Sequence, residues 1–299
     1  MNRISKIKAL SLIVVVLGVL YLAYSFLPNS SELPSSGLIN DQLKVHFIDV
    51  GQGDATLLMG PDFTVLVDAG RHDRNDVVPY LKEQNVQQID LLIGTHPHAD
   101  HIGQFPQVLN NFLVKEVWLS GELHTSRTFE RAIDAILATS AKYHEPRTND
   151  NFMFGSLKVE ILHPSELTGD LNNGSIAFRA IFGDIIFMFT GDAEFDAELE
   201  IVKSSQNLKS HILQIGHHGS KTSSTSQFLR KVSPELAVYS AGLENGYGHP
   251  HPEIIDRMNS LNIKMYGTDI NGTVVLTTDG KVYHIESQNE QEERVYYSD

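Results

Sequence analysis

Three imidazoles and a carboxylate fall within six residues, in the run His96-Pro97-His98-Ala99-Asp100-His101, just after a stretch from Ile89 to Gly94 that is apolar but for Asp90. Such a cluster cannot be ordinary core, because each buried polar group would need a compensating partner. It belongs where a buried strand ends and its side chains can turn toward a shared ligand. His96 and His98, two residues apart, can reach one cation; Asp100 and His101 can reach a second. Imidazole and carboxylate together suit Zn²⁺, Mn²⁺ or iron. The chain has no cysteine, so any metal site must use His, Asp, Glu, Asn and water, and disulfide scaffolds and cysteine nucleophiles are excluded.

The surroundings of the cluster read as two β-rich blocks with interspersed helices. Strand-like runs begin at Leu43, Ala55 and Phe63, and Asp76 to Gln84 reads as a helix. Helical periodicity runs from Arg127 to Tyr143 through Phe129, Ile133, Ile136 and Leu137. A second series has strands near Leu157, Ser175, Asp184, His211 and Leu236, and a final group through Lys264 to Ile285. Its helices fall at Ala193 to Ser204, Gln227 to Val232 and Glu253 to Leu261. Two sheets packed face to face with helices outside account for that repetition. Gly51-Gln52-Gly53 lacks the dinucleotide fingerprint and no P-loop is present, so nothing calls for a nucleotide cofactor.

Residues 1–27 carry Arg3, Lys6 and Lys8 and no acid, and residues 9–27 form an uncharged run of 19. A bilayer core needs about 20 apolar residues in a helix. The reading is a transmembrane signal anchor with the N-terminus in the cytoplasm; a cleaved signal peptide ending near Ala23-Tyr24-Ser25 is the rival. Either places the body at the cell membrane on its extracytoplasmic side, or secreted. The expected division is an anchor over 1–27, a linker over 28–42, a folded domain over 43–285 and an acidic tail over 286–299. Beyond the anchor the chain holds 20 bases and 37 acids, a balance of −17, which argues against a broad duplex-DNA surface.

Further motifs accompany the histidine cluster in a fixed order: Phe47-Ile48-Asp49-Val50-Gly51-Gln52-Gly53-Asp54-Ala55, Asn172-Asn173-Gly174-Ser175, Thr190-Gly191-Asp192, His217-His218-Gly219-Ser220 and Tyr247-Gly248-His249-Pro250. The set resembles the metallo-β-lactamase superfamily, and within it the metallo-β-lactamase-like domain of ComEC-type DNA-uptake competence proteins. The resemblance spans about Leu43 to Ile285. It implies an α/β fold, a four-layer αβ/βα sandwich with a two-metal site at one edge, here preceded by one N-terminal transmembrane or signal helix. One apolar segment cannot make the DNA channel of those proteins, so transport is not implied.

The resemblance also implies roles. Two divalent ions, zinc or manganese, would be held by His96, His98, Asp100, His101, the bridging Asp192 and His218. His217, His249 and Asp100 would serve catalysis, with His249 giving a proton to the leaving group. Asn173 would contact substrate and Asp68 would border the site; independently of the resemblance, the hydroxyl of Ser220 and ammonium of Lys221 suit a phosphate, and Asp54, just before a strand, suits support of a metal-bound His. The superfamily's third His of the first site is missing; Asn172 and Asn173 stand there, so Asn173 or water would complete that site and shift its preference toward manganese. Adjacent strand residues point to opposite faces, which assigns His218 as ligand and His217 to the substrate, while the freer geometry at a strand's end leaves either ring open as the ligand.

The reading that results is a dinuclear metal-dependent hydrolase acting on a phosphodiester-type substrate, with DNA among the candidates, anchored in the membrane through residues 9–27. The alternatives are a phosphorylcholine or teichoic-acid esterase, a β-lactamase-like hydrolase, or a non-catalytic surface module or accessory subunit of DNA uptake. No protein partner can be read from the sequence.

Overall fold

The computed structural model describes residues 41–289. The expected anchor, nearly all of the linker and the tail beyond residue 289 lie outside the described residues. Among the described residues no helix is long and apolar enough to cross a membrane.

The first half runs β1 (Leu43–Phe47), β2 (Thr56–Met59), β3 (Thr64–Val67), α1 (Val77–Glu83), β4 (Gln88–Ile89), β5 (Leu91–Gly94), α2 (Phe105–Asn111), β6 (Leu113–Val114), β7 (Glu116–Leu119), α3 (Arg127–Leu137) and β8 (Lys142–His144). The second half runs β9 (Asn151–Phe154), β10 (Leu157–His163), β11 (Ala177–Phe182), β12 (Ile185–Phe189), α4 (Phe195–Lys203), β13 (Ile212–Gln214), α5 (Ser226–Val232), β14 (Leu236–Tyr239), α6 (Pro252–Ser260), β15 (Lys264–Gly267), α7 (Thr268–Asn271), β16 (Val274–Thr278) and β17 (Tyr283–Ser287). One sheet has the order β17-β16-β1-β2-β3-β5-β7-β8 and the other β15-β14-β13-β12-β11-β10-β9.

Strand alternation sorts side chains between layers. In β1, Leu43, Val45 and Phe47 enter the core between the sheets, as do Leu91 and Ile93 of β5 and Ile185, Phe187 and Phe189 of β12. Their neighbours Leu92 and Met188 face outward, into separate apolar layers under the helices. Strands buried on both faces read as continuous apolar runs, which is why β5 and β12 were legible. The result is the expected four-layer αβ/βα sandwich.

Two boundaries differ from expectation. The helix begun at Arg127 stops at Leu137, and Lys142–His144 pairs in parallel with β7 instead. Glu286 and Ser287, expected in the tail, belong to β17, which pairs with β16.

His46 faces the helical side of β1 and is 3% exposed. Its Nδ1 lies 2.8 Å from the Tyr80 hydroxyl of α1. Burial first, then the Lys44 charge, lowers its pKa from 6.5 to about 4. A depressed pKa contributes stability that is fully present above 6.5 and is lost as pH falls toward 4, worth about 3 kcal/mol. Urea unfolding at pH 7 and pH 4.5 should show a smaller acid loss in His46→Gln than in the wild type, by roughly 2 kcal/mol. An equal loss in both proteins would remove His46 as the source.

Candidate metal centre

In the first sheet β5 lies parallel between β3 and β7; in the second, β12, β13 and β14 are parallel. Open α/β sheets bind ligands beyond the carboxyl ends of such strands. Both sets of ends meet at one edge of the sandwich.

Asp68 closes β3 with φ 57°. Its Oδ1 accepts the Thr95 amide at 2.8 Å, and its Oδ2 accepts the Thr95 hydroxyl at 2.8 Å and His101 Nδ1 at 2.8 Å. One buried carboxylate thus fixes the start and end of the histidine loop. From the other sheet, Phe189 stacks on Phe178 with ring centroids 4.9 Å apart and anchors Thr190-Gly191-Asp192. Gly191 has φ +51°, and a Cβ there would meet Thr95 Oγ1 at 2.8 Å. Only glycine lets the loop of the second sheet close against that of the first.

The ligand candidates converge. His96 Nε2 lies 2.9 Å from His98 Nδ1, and His101 Nε2 lies 3.3 Å from His218 Nε2. Asp192 Oδ2 is 3.5 Å from His96 Nε2, 3.6 Å from His217 Nε2 and 3.8 Å from His218 Nε2. Asp192 Oδ1 is 3.2 Å from His101 Nε2. Asp100 Oδ2 is 3.4 Å from His218 Nε2. Two groups with ligand atoms within 4.8 Å of one another result: His96, His98 and Asp192, and Asp54, His101, Asp192 and His218. They share Asp192.

The chemistry of these contacts fits cations. His101 Nδ1 faces the Asp68 carboxylate and His218 Nδ1 the Ser240 carbonyl at 3.0 Å, both acceptors. Each Nδ1 therefore carries the hydrogen, and in the neutral rings the two Nε2 lone pairs face each other at 3.3 Å. Asp192 Oδ1 is buried with no hydrogen bond. A divalent ion satisfies all three atoms, and ligating histidines commonly carry such partners on the far nitrogen.

Without cations, protons must compensate the charge. Burial alone would raise Asp192, but the charges of His101, His218 and His96 hold it well below the carboxylate range. Burial would lower His218, but Asp192 and Asp100 push it up to about 9. Burial likewise opposes ionisation of Asp100, yet the His218 hydrogen bond and the His101 charge keep its carboxyl below the ordinary range. His96 is lowered well below 6.5 by burial and then by the His101 charge.

His217 departs from the expected geometry. His217 and His218 are not strand residues; both have positive φ, 51° and 57°, in a tight turn after β13. Backbone that rare for non-glycine residues persists where surrounding structure demands it. It turns both rings toward Asp192, where a strand would have sent them to opposite faces. His217 Nδ1 is 3.0 Å from Glu194 Oε1, so this ring has the same carboxylate support as His101.

Asp54 stands behind His218, with Oδ2 3.7 Å from its Nδ1 and Oδ1 accepting from Gln214 Nε2 at 2.9 Å. His249 packs 6.2 Å from His218 and 5.8 Å from His217, ring to ring. Ser220 is buried and its Oγ meets Thr222 Oγ1 at 2.9 Å, which in turn donates to Glu194. Lys221 and Asn173, expected to contact substrate, are engaged elsewhere. Lys221 is 58% exposed and its Nζ lies 3.7 Å from Glu253 of α6. Asn173 Oδ1 accepts the Glu194 and Ala197 amides at 3.3 and 3.1 Å, capping α4. Asn172 donates through Nδ2 to Glu194 Oε1 at 3.3 Å, and its buried Oδ1 has no partner.

Glu194 and His124 carry no sequence signal. His124 follows the exposed Leu123, yet its ring lies 5.9 Å from that of His98 and its Nδ1 is buried without a partner.

Comparison with known proteins agrees with this geometry. Residues 48–242 match the family described as the Metallo-beta-lactamase superfamily. The chain is 28% identical to ComE operon protein 3 of Bacillus subtilis (strain 168) over 256 residues, covering 79% of this chain and 33% of that protein. It is 31% identical to competence protein ComA of Neisseria gonorrhoeae over 233 residues, covering 76% and 31%. The chain therefore spans about a third of the length of the curated relatives it matches. Among solved structures, the metallo-beta-lactamase fold protein YhfI from Bacillus subtilis superposes with TM-score 0.51 at 14% identity, over 76% of this chain and 96% of that one. The diiron β-hydroxylase CmlA from Streptomyces venezuelae gives 0.52 at 14%, over 79% and 54%. At such identities these two speak for the fold alone.

Proposed function

The chain belongs to the metallo-β-lactamase superfamily of metal-dependent hydrolases, and we propose that its reaction is phosphodiester cleavage, with DNA as the substrate class, at the outer face of the membrane to which residues 9–27 would anchor it. The observation that carries this reading is the pair of ligand groups sharing Asp192. Paired divalent ions, zinc or manganese, supply Lewis acidity that activates water and offsets phosphoryl charge in an in-line displacement. The competence-protein relatives favour DNA over other diesters.

His96, His98 and Asp192 would hold one ion, with His217 supplying the imidazole absent at Asn172 and Asn173. His101, Asp192 and His218, with Asp100, would hold the other. Asp100, 31% exposed, stays ionised at the rim of the site and can accept a proton from the attacking water. Glu194, Asp68 and the Ser240 carbonyl fix ring orientation, so the site needs little reorganisation when substrate arrives.

The test is metal content and turnover on one preparation. Two ions per chain and faster hydrolysis of bis-p-nitrophenyl phosphate and single-stranded DNA than of nitrocefin or a phosphorylcholine ester are expected. Metals without turnover would make the chain a binding module; nitrocefin or the choline ester as best substrate would replace the diester.

A further inference from the structure

Beside the cluster a groove of about 380 Å³ is lined by Gly51, Gln52, Arg71, Arg74, Asn245 and Tyr247, among others. It is formed by the loops after β1, β3 and β14. Arg71 bonds Asp73 through Nε and Nη2 at 2.8 and 2.6 Å. Arg74 bonds Asp76 through the same two atoms at 2.6 and 3.4 Å. Each carboxylate fixes a guanidinium plane and leaves Nη1 for another acceptor. Gly51, at φ +70°, makes room for Arg74: a Cβ there would stand 2.9 Å from its Nη1. Gly53, next to the lining residue Gln52, packs against Asp100, since a Cβ on it would stand 2.5 Å from the Asp100 carbonyl oxygen, and the Asp100 charge acts on Arg71, so the groove adjoins the metal centre.

Tyr247 forms the lip and is 67% exposed. Its ring stacks on His249 at 5.6 Å and 23°, and His249 stacks on His218 at 6.2 Å and 26°. A column of rings thus runs from a candidate metal ligand to the surface and ends in an aromatic face open to solvent.

We propose that this groove is a subsite for single-stranded polynucleotide, in which Tyr247 stacks a base adjoining the scissile phosphate and Arg71 and Arg74 hold neighbouring phosphates. The inference rests on the phosphodiesterase reading and adds the strandedness and the residues that read it. Stacking requires an unpaired base, and base–aromatic stacking tolerates any sequence. Two guanidiniums suit a short strand, whereas a body of balance −17 offers no extended cationic face to a duplex. A polyol phosphate brings the same charges but no ring, so Tyr247 is the residue that separates the two polymers.

The experiment uses the full chain with its metals and compares kcat/KM for a thymidine octamer with that for bis-p-nitrophenyl phosphate, which is too small to span the groove. Tyr247→Ala should lower the ratio by roughly tenfold or more, through KM, since stacking is worth about 1–3 kcal/mol per base. Tyr247→Phe and Tyr247→Trp should restore it. Replacing both arginines with Gln should flatten the salt dependence of binding by about 1.4 logarithmic units per tenfold salt, for two phosphate contacts on a single strand. Binding of the fluorescein-labelled octamer to chelator-stripped protein is read by anisotropy. It keeps the subsite testable if no diester is cleaved, so loss of the phosphodiesterase reading and loss of the subsite are separate outcomes. Tighter binding of poly(glycerol phosphate), of an abasic octamer or of duplex, or a ratio unmoved in Tyr247→Ala, overturns the proposal.

Discussion

Asp192→Ala should abolish hydrolysis, by roughly 10³-fold or more, while leaving the fold intact. The carboxylate lies between all four imidazole Nε2 atoms of His96, His101, His217 and His218. Its removal takes a ligand from both groups and the one negative charge common to them, a loss of several kcal/mol in the neutralisation of phosphoryl charge. The fold should tolerate the change. The side chain contributes no hydrogen bond through Oδ1, and the loop stays held by the Asp192 amide on Ser175 Oγ at 3.2 Å. Metal analysis should find fewer than one ion per chain, and circular dichroism should be unchanged. Asp192→Asn keeps the volume and removes the charge, and should resemble Ala. Two retained ions with full activity would sink the assignment of Asp192.

His249→Ala should slow cleavage by roughly 10²-fold with both ions retained. The sequence led us to expect an acid near its ordinary 6.5. The structure corrects that: burial, then the charges of His218, His217 and His251, lowers the ring to about 4. A cation in place of the proton on His218 acts in the same direction. At neutral pH the imidazole is therefore uncharged and keeps one N–H. It can still give a hydrogen bond to a developing alkoxide, and one such donor is worth about 10²–10³-fold. The loss should be larger for alkyl than for aryl leaving groups, and constant from pH 5.5 to 8 because the ring does not titrate there. A loss that shrinks as pH rises through 6.5 would restore the acid; loss of an ion would make His249 a ligand.

The ligand cluster was legible because its donors are dense in sequence and follow an apolar run that can only be a buried strand. Asp192 and the His pair were legible for the same reason, each lying just beyond such a strand. The side-chain direction of His217 was not. A period-2 argument assumes extended backbone, and the turn at Gly216–Gly219 has φ of opposite sign. Lys142–His144 was lost inside a helix because its three residues show no apolar alternation; its strand character comes from pairing with β7. Phe105–Asn111, a helix not assigned from the sequence, carries Pro106 in its first turn, where a proline is tolerated. Glu194, His124 and Arg71 have ordinary neighbours in sequence and gain meaning only when the two sheets close.

At the metal edge that closure includes the contact of Gly191 from one sheet with Thr95 of the other. His96, His98, Asp100 and His101 come from one side of the seam and Asp192, His217 and His218 from the other. Neither side alone has a complete ligand set, so each ion would act as a rivet through both. Ion binding then adds directly to the free energy holding the halves together, by about 4 kcal/mol at a thousandfold excess over Kd. Metal supply would in that way govern the lifetime of the chain as well as its turnover. A chain short of the ion would keep its fold, as expected for Asp192→Ala, but with a smaller margin against opening at the seam.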